Sequence, residues 1–125
     1  MFKFAGKRPD NLGVNNGKLA ACPGTPNCVS SQSGDDKFKI EPLASVSLAQ
    51  IKSAIEGMAG GKIVEEKEDY LYAEFTSKLM GFVDDVEFYA DKQKNVIQVR
   101  SASRLGKSDL GANRQRIEAI RTKLA

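Results

Sequence analysis

The sequence predicts an α+β domain: a curved antiparallel sheet of about five strands with two helices on one face. Three observations predict it. An alternating segment and a capped amphipathic segment come first, four alternating segments joined by short polar turns follow, and a second amphipathic segment ends the chain. Consecutive strands joined by short turns pair antiparallel, and a helix on either side of them in sequence can cover one face of the sheet.

The chain is predicted to form one domain preceded by an irregular arm. Its 125 residues are enough to bury a core without support from disulfides or metals. Residues 1–36 contain five Gly and three Pro and few periodic apolar residues, so we expect an irregular N-terminal arm that packs on the domain. Residues 37–125 carry the periodic segments and form the single α+β domain.

The first periodic segments predict a strand and a helix. Lys37–Glu41 alternates polar and apolar residues, as a half-buried strand does, and Pro42 ends it. Ser47 followed by Gln50 is a capping-box pattern that begins a helix. The Gly pair at residues 60–61 supplies its stop. The apolar stripe of this helix is Leu48, Ile51, Ile55 and Met58.

Four alternating segments predict the rest of the sheet. They cover residues 62–66, 70–76, 82–90 and 96–103. In the second segment, Tyr70 and Tyr72 are on the face opposite to the apolar residues, and we expect that face to be exposed. With a helix before and after these strands, both helices can lie on one face, as in helix-grip and TATA-box-binding-protein-like folds.

The register of the last hairpin follows from matching the apolar residues of its two strands in pairs. This register places Asp84 opposite Ser101 and Asp85 opposite Arg100. Asp84 then has the parity of the apolar residues, where a bare carboxylate is costly to bury. Asp84 and Ser101 could therefore share an inward-facing pocket, and the alternative is a bulge that turns Asp84 to water.

The turn at residues 79–83, Leu-Met-Gly-Phe-Val, is unusually apolar for a connection between strands. It could plug the core, form the rim of a pocket, or contact a partner or a membrane surface. The interpretation we favour is the core plug.

The last quarter of the chain has the densest set of polar side chains. From residue 100 onward there are seven Lys or Arg against two acids, and five of the six arginines lie there. A helix that begins at Ser108 or Asp109 would present free N–H groups at its first turn. With Ser101, Ser103 and Arg104 nearby, these groups could hold an anion or a polar ligand. The alternative is a set of caps and turn hydrogen bonds that fix a strand–helix junction.

Two cysteines, Cys22 and Cys28, flank a short loop that contains two prolines. Free thiols are the default in a reducing compartment. A disulfide requires that the two Cα atoms come within about 7 Å. A nucleophilic Cys28 would need an Arg, a Lys or a helix N-terminus to lower its pKa, because the chain has no His.

Composition excludes several function classes. The absence of His removes the commonest general base and transition-metal ligand, and two Cys alone make no structural zinc site, so we expect no metal and no cofactor. A net charge of +3 with an acidic middle segment disfavours nucleic acid as a partner. No apolar run reaches the roughly 20 residues of a transmembrane segment. The opening Met1–Gly6 is too short and polar for a signal peptide, so we expect a cytoplasmic location, with peripheral membrane association as the alternative.

Three stretches carry a recognisable pattern: Arg8-Pro-Asp-Asn-Leu-Gly13, Cys22-Pro-x-x-Pro-Asn-Cys28-Val-Ser-Ser31 and Arg100-Ser-x-Ser-Arg104-x-Gly-x-Ser-Asp109-x-Gly-x-Asn113-Arg114. Together they resemble the family of domain of unknown function 1499 over nearly the whole chain, and the opening is similar to cyanobacterial members. The family has no established activity to carry over. The resemblance implies these signature positions: Asn27, Cys28, Ser30, Ser31, Arg100, Ser101, Ser103, Arg104, Ser108, Asp109, Asn113 and Arg114.

Three functional hypotheses follow. The leading one is a non-enzymatic binding module whose polar site joins the Cys28–Ser31 loop to the Arg100–Arg114 junction. Its ligand would be a small anionic or polar molecule or an acidic protein surface. The second is a thiol-dependent redox or catalytic protein that uses Cys28. The third is a structural or assembly factor that binds a protein partner through the sheet face with Tyr70 and Tyr72.

Overall fold

The computed structural model of the protein describes residues 5–78, 80–106 and 109–125. Its elements follow the order that the sequence predicts: one strand, one helix, four strands and a final helix. In chain order they are β1 (Cys28–Ser30), α1 (Leu48–Glu56), β2 (Gly61–Glu66), β3 (Tyr70–Thr76), β4 (Val83–Asp91), β5 (Val96–Ser103) and α2 (Ala112–Leu124).

The five strands form one antiparallel sheet in the order β1-β5-β4-β3-β2, which confirms the α+β prediction. The first strand, however, is not the predicted one. It is β1, inside the segment predicted to be irregular, and Lys37–Glu41 contributes only an isolated bridge from Lys39 to Ser30. The carbonyl of Asp35 accepts hydrogen bonds from the N–H groups of Phe38 and Lys39, so this segment is a turn that still buries Ile40.

Both helices pack on the same face of the sheet, and the core lies between them and the strands. Ile51 and Ile55 of α1 and Ile117 and Ile120 of α2 are fully buried in one cluster with apolar residues of the strands, among them Phe88. Burying a side chain of this size contributes roughly 1.5–3 kcal/mol. The sheet therefore has one apolar face, set by the alternation of its strands.

Helix α1 begins as predicted and ends earlier. The hydroxyl of Ser47 accepts from the Gln50 N–H at 3.2 Å, and the Gln50 side chain accepts from the Ser47 N–H at 2.8 Å, which confirms the capping box. The helix stops at Glu56, before the predicted Gly pair. Gly60 has φ +81°, and a Cβ there would lie 2.5 Å from the carbonyl oxygen of Thr76, so only glycine fits this approach to β3.

The predicted register of the β4–β5 hairpin is wrong by two residues. Asp84 lies opposite Ser103, and Arg100 lies opposite Glu87. The turn closes with Asp91 opposite Val96, which leaves residues 92–95 as the connection. A shift of two residues keeps every side chain on its predicted face, so Asp84 still lies on the helix-covered face.

The second face of the sheet is not exposed, contrary to the sequence prediction. Tyr70 and Tyr72 are buried and form a small cluster with Leu19 of the arm, against which Leu12 also packs. The N-terminal arm thus covers this face of the sheet. Among the helices in the described ranges, none has the length and apolar character needed to cross a membrane.

Candidate functional site

The sheet places the predicted site residues of β5 on two opposite faces, because successive strand residues point to opposite faces. Arg100 and Arg104 lie beneath the arm, whereas Ser101 and Ser103 lie on the helix face. The helix-side group is called the junction cluster and consists of Asn27, Asp84, Ser101, Ser103, Asp109, Asn113 and Arg116. The arm-side cluster consists of Arg8, Tyr70, Tyr72, Glu74, Asp85, Glu87, Arg100 and Arg104.

Asn113 is the centre of the junction cluster and is completely buried. Its Nδ2 donates to Asp109 Oδ2 at 2.6 Å, to Ser103 Oγ at 2.9 Å and to the carbonyl oxygen of Asn27 at 3.1 Å. Its Oδ1 accepts from Ser101 Oγ at 2.6 Å and from Arg116 Nη1 at 2.8 Å. These bonds use the whole side-chain amide, so Asn113 ties α2 to the sheet and has no capacity left for a ligand.

The N-terminus of α2 is occupied by a carboxylate of the chain itself. The helix begins at Ala112, later than predicted, and Asp109 precedes it. Asp109 Oδ2 accepts from the Asn113 N–H at 2.9 Å, and its Oδ1 accepts from the Gly111 N–H at 2.8 Å. Burial alone would raise the pKa of Asp109, but these hydrogen bonds outweigh it and lower the pKa. The predicted anion position is therefore filled, and Ser108 lies outside the described residues.

Arg116 belongs to the junction cluster although the sequence prediction did not include it in the site. Its Nη2 lies 2.8 Å from Asp84 Oδ2, and both side chains are largely buried. Nη1 donates to Ser101 Oγ at 3.3 Å, and the guanidinium lies 4.9 Å from the centroid of the Phe75 ring. Asp84 and Ser101 are thus joined through Arg116 rather than by facing each other. The available signal was the spacing of three from Asn113, which places Arg116 on the same face of the helix.

A cleft of about 340 Å³ opens beside this ion pair. This junction cleft has a polar side formed by Asp84, Ser103, Asp109 and Arg116 and an apolar side formed by Phe82, Val83, Leu105 and Leu110. The predicted core plug is wrong for Met80 and Phe82, which are exposed, although Val83 is buried. Leu79 lies outside the described residues. The apolar turn therefore supplies part of the rim of the cleft.

Arg104 anchors the arm-side cluster. Its guanidinium donates to both oxygens of Asp85 at 2.8 and 2.9 Å, to Glu74 at 2.7 Å and to the Tyr72 hydroxyl at 3.3 Å. Tyr72 donates in turn to Asp85. Burial alone would raise the pKa of Glu74, but hydrogen bonds from Arg8 and Arg104 outweigh it and lower the pKa. Arg104 is thus committed to partners of its own chain.

Glu87 and Arg100 form a looser pair beneath the arm. Arg100 Nη1 lies 3.8 Å from Glu87 Oε1, too far for a hydrogen bond. Glu87 Oε2 accepts from the Tyr70 hydroxyl at 2.5 Å and from the Gly13 N–H of the arm at 2.7 Å. Burial raises the pKa of Glu87 and lowers that of Arg100. Glu87 Oε1 and Arg100 Nε are buried without a hydrogen-bond partner among the residues that the structure describes.

Residues 18–124 match the family model described as "Protein of unknown function (DUF1499)". The chain belongs to the DUF1499 family. The matched region contains the whole junction cluster, and of the arm-side cluster it leaves out Arg8. No curated protein and no solved structure matches the chain.

The segment around β1, from Cys22 to Ser31, is held by a disulfide and by side-chain hydrogen bonds. A disulfide joins Cys22 to Cys28, with Cα atoms 5.7 Å apart, so this state contains no free thiol. Ser31 Oγ donates to Gln98 Oε1 and accepts from the Val99 N–H, both at 2.7 Å. The neighbouring Ser30 Oγ accepts from the Gln32 N–H, and Asn27 Nδ2 donates to the carbonyl of Gly106. These bonds fix the loop to β5 and to the segment that follows it.

Arg114 joins neither cluster. Its Nη2 donates to the carbonyl of Lys37 at 3.3 Å. Within the described parts of the chain, no group of three or more acids or cysteines is arranged to hold a metal ion. The junction cleft combines polar and apolar walls with a largely buried ion pair, Asp84–Arg116, at its side.

Proposed function

We propose that this DUF1499 protein is a non-enzymatic binding protein whose ligand occupies the junction cleft. The ligand would have an apolar body and a neutral polar head group that both donates and accepts hydrogen bonds, such as an amide or a hydroxyl. The observation that carries the proposal is the largely buried Asp84–Arg116 ion pair beside a rim of exposed apolar side chains. Small-molecule sites typically combine apolar walls with a few convergent polar groups in a cleft of roughly 300–1,000 Å³.

The head group follows from the hydrogen-bonding capacity that the pair leaves open. Arg116 has five N–H groups, and three of them serve Ser101, Asn113 and Asp84. Asp84 accepts through Oδ2, and no hydrogen bond from a described residue goes to its Oδ1. A head group with one donor and one acceptor matches both, whereas an anion would meet the Asp84 carboxylate. A neutral ligand therefore fits the cleft better than the anionic ligand expected from the sequence.

The body of the ligand would contact the exposed side chains of Phe82, Leu105 and Leu110. Covering such side chains removes apolar surface from water at roughly 25 cal/mol per Å². The other two hypotheses have less support. A Cys28 nucleophile requires prior reduction of the disulfide, and the sheet face with Tyr70 and Tyr72 is covered by the arm.

Protein-observed NMR titrations with octanamide, octanoate and octylamine would test the proposal, because the three molecules share one body and differ in head group. We expect octanamide to bind most tightly and to shift the amide signals of Asp84, Ser103 and Arg116. Asp84→Asn should favour octanoate relative to octanamide, because it removes the opposing carboxylate. Asp10→Asn, in the exposed part of the arm, is the matched control. Cleft signals that stay unmoved at millimolar concentrations of all three would refute the proposal.

A further inference from the structure

We propose that the protein docks on an anionic lipid bilayer through a surface called the tip, which consists of Met80, Phe82, Leu105 and Leu110. The inference goes beyond ligand binding in the cleft and stands without it. The exposed fractions of these side chains are 40%, 41%, 41% and 93%. Within the described ranges there are five large apolar side chains so exposed, and four of them lie in the tip; the fifth is Val14.

Two loops at one end of the molecule bring the tip together. One connects β3 to β4 and carries Met80 and Phe82, and the other connects β5 to α2 and carries Leu105 and Leu110. Phe82, Leu105 and Leu110 line the same cleft mouth, so they form one surface rather than scattered exposures. Contiguous apolar patches of this kind mark interaction sites, whereas single exposed apolar residues do not.

The backbone at Leu110 supports the inference. Its φ is +54°, in the left-handed region that a Leu rarely adopts. Burial of the Leu110 side chain does not offset this conformational cost, because 93% of the residue is exposed to solvent. A large apolar residue held outward at a conformational cost is expected where its contact is made with something outside the monomer.

The charged side chains around the tip favour an anionic bilayer as the partner. Lys78 precedes Met80 by two residues, and both are exposed. Lys7 is also exposed, and it follows Gly6 in sequence. Gly6 lies against the tip residue Leu105, since a Cβ added at Gly6 would lie 3.0 Å from Leu105 Cγ. The two acids that line the cleft are engaged within the fold, Asp84 with Arg116 and Asp109 with the start of α2. Apolar residues flanked by lysines are the composition of a surface that inserts shallowly into an anionic bilayer.

Vesicle flotation would test the docking with the full chain and no added ligand. We expect it to float with vesicles that contain phosphatidylglycerol and much less with pure phosphatidylcholine. Leu110→Asn should weaken partitioning about tenfold, because burying a Leu side chain is worth roughly that factor. The double variant Lys7→Gln and Lys78→Gln should weaken it about fivefold per lysine. Val14→Asn, the exposed apolar residue outside the tip, should leave it unchanged.

Three results would overturn the docking. The first is a wild-type protein that does not float with phosphatidylglycerol vesicles. The second is partitioning that the lysine variant abolishes and Leu110→Asn leaves intact, since charge alone would then account for it. The third is a dimer, seen by light scattering, that Leu110→Asn dissolves while lipid binding is absent, which would make the tip an interface between copies. A melting temperature of Leu110→Asn at or above that of wild type excludes unfolding as the cause of a loss.

Discussion

Leu110→Asn should make the protein more stable although it replaces an apolar residue. Leu110 has φ +54°, and its side chain is almost entirely exposed. Asn adopts the left-handed region more readily than other non-glycine residues, because its short polar side chain bonds to the local backbone. The substitution therefore relieves backbone strain and gives up almost no buried apolar surface.

The size of the effect can be worked out from the left-handed penalty. A non-glycine residue in this region costs about 1–2 kcal/mol, and Asn recovers part of it, so we expect a gain of about 1 kcal/mol. The entropy of unfolding is about 2.1 cal/mol/K per residue, which for 125 residues is about 0.26 kcal/mol/K. The melting temperature should therefore rise by about 4 °C.

The reciprocal variant Asn95→Leu provides the control. Asn95 is exposed in the β4–β5 turn with φ +56°, so its backbone conformation matches that of Leu110. We expect its melting temperature, measured by circular dichroism, to fall by a similar amount. If Asn95→Leu lowers the melting temperature and Leu110→Asn also lowers it, the strain argument at Leu110 is refuted and the Leu side chain is stabilising the monomer.

Three further predictions concern stability. Reducing the disulfide should lower the free energy of unfolding, measured with urea, by about 2–3 kcal/mol, the loop-closure value for so short a loop; equal midpoints with and without reductant would contradict this. Arg104→Ala should cost about 3–5 kcal/mol, because it leaves the buried Asp85 without its cation and Glu74 with Arg8 alone, and Arg114→Ala should cost less than about 0.5 kcal/mol; similar losses would be inconsistent with the two environments. Glu87 has a raised pKa in the folded state, so its contribution to stability is present at low pH and is lost as pH rises through that pKa. The stability of Glu87→Gln relative to wild type should therefore increase with pH, and that of Glu74→Gln should decrease, because the pKa of Glu74 is lowered; parallel pH curves would rule out both assignments.

Local patterns predicted the parts of the fold that depend on local interactions. The Ser47 capping box is formed within four residues, and the alternation of the strands fixes which face each side chain is on. The hairpin register was missed by two because pairing Asp84 with Ser101 or with Ser103 preserves the same faces. The strand at Cys28–Ser30 was missed because three residues are too few to show alternation, and its pairing with β5 is set by tertiary contacts.

The candidate site was predicted less well than the fold. Ser101, Ser103 and Asn113 of the predicted set meet on the helix face, but alternation sends Arg100 and Arg104 to the face under the arm. Arg114 was predicted to belong to the site, yet it bonds to the Lys37 carbonyl. The partner of Asp84 is Arg116, which is 32 residues away in sequence and has no local pattern in common with it.

The two clusters differ in what they could still do. In the arm-side cluster, Arg104 binds Asp85, Glu74 and Tyr72, and the arm closes the face, so a ligand would have to displace both the arm and these bonds. A ligand that replaced these charge-assisted hydrogen bonds with its own would gain little net free energy of binding. In the junction cleft, the described residues leave hydrogen-bonding capacity on the Asp84–Arg116 pair beside exposed apolar side chains. The proposed binding would therefore cover apolar surface without displacing that ion pair. Arg100 and Arg104 therefore hold the fold together, and the proposed binding chemistry lies around Arg116.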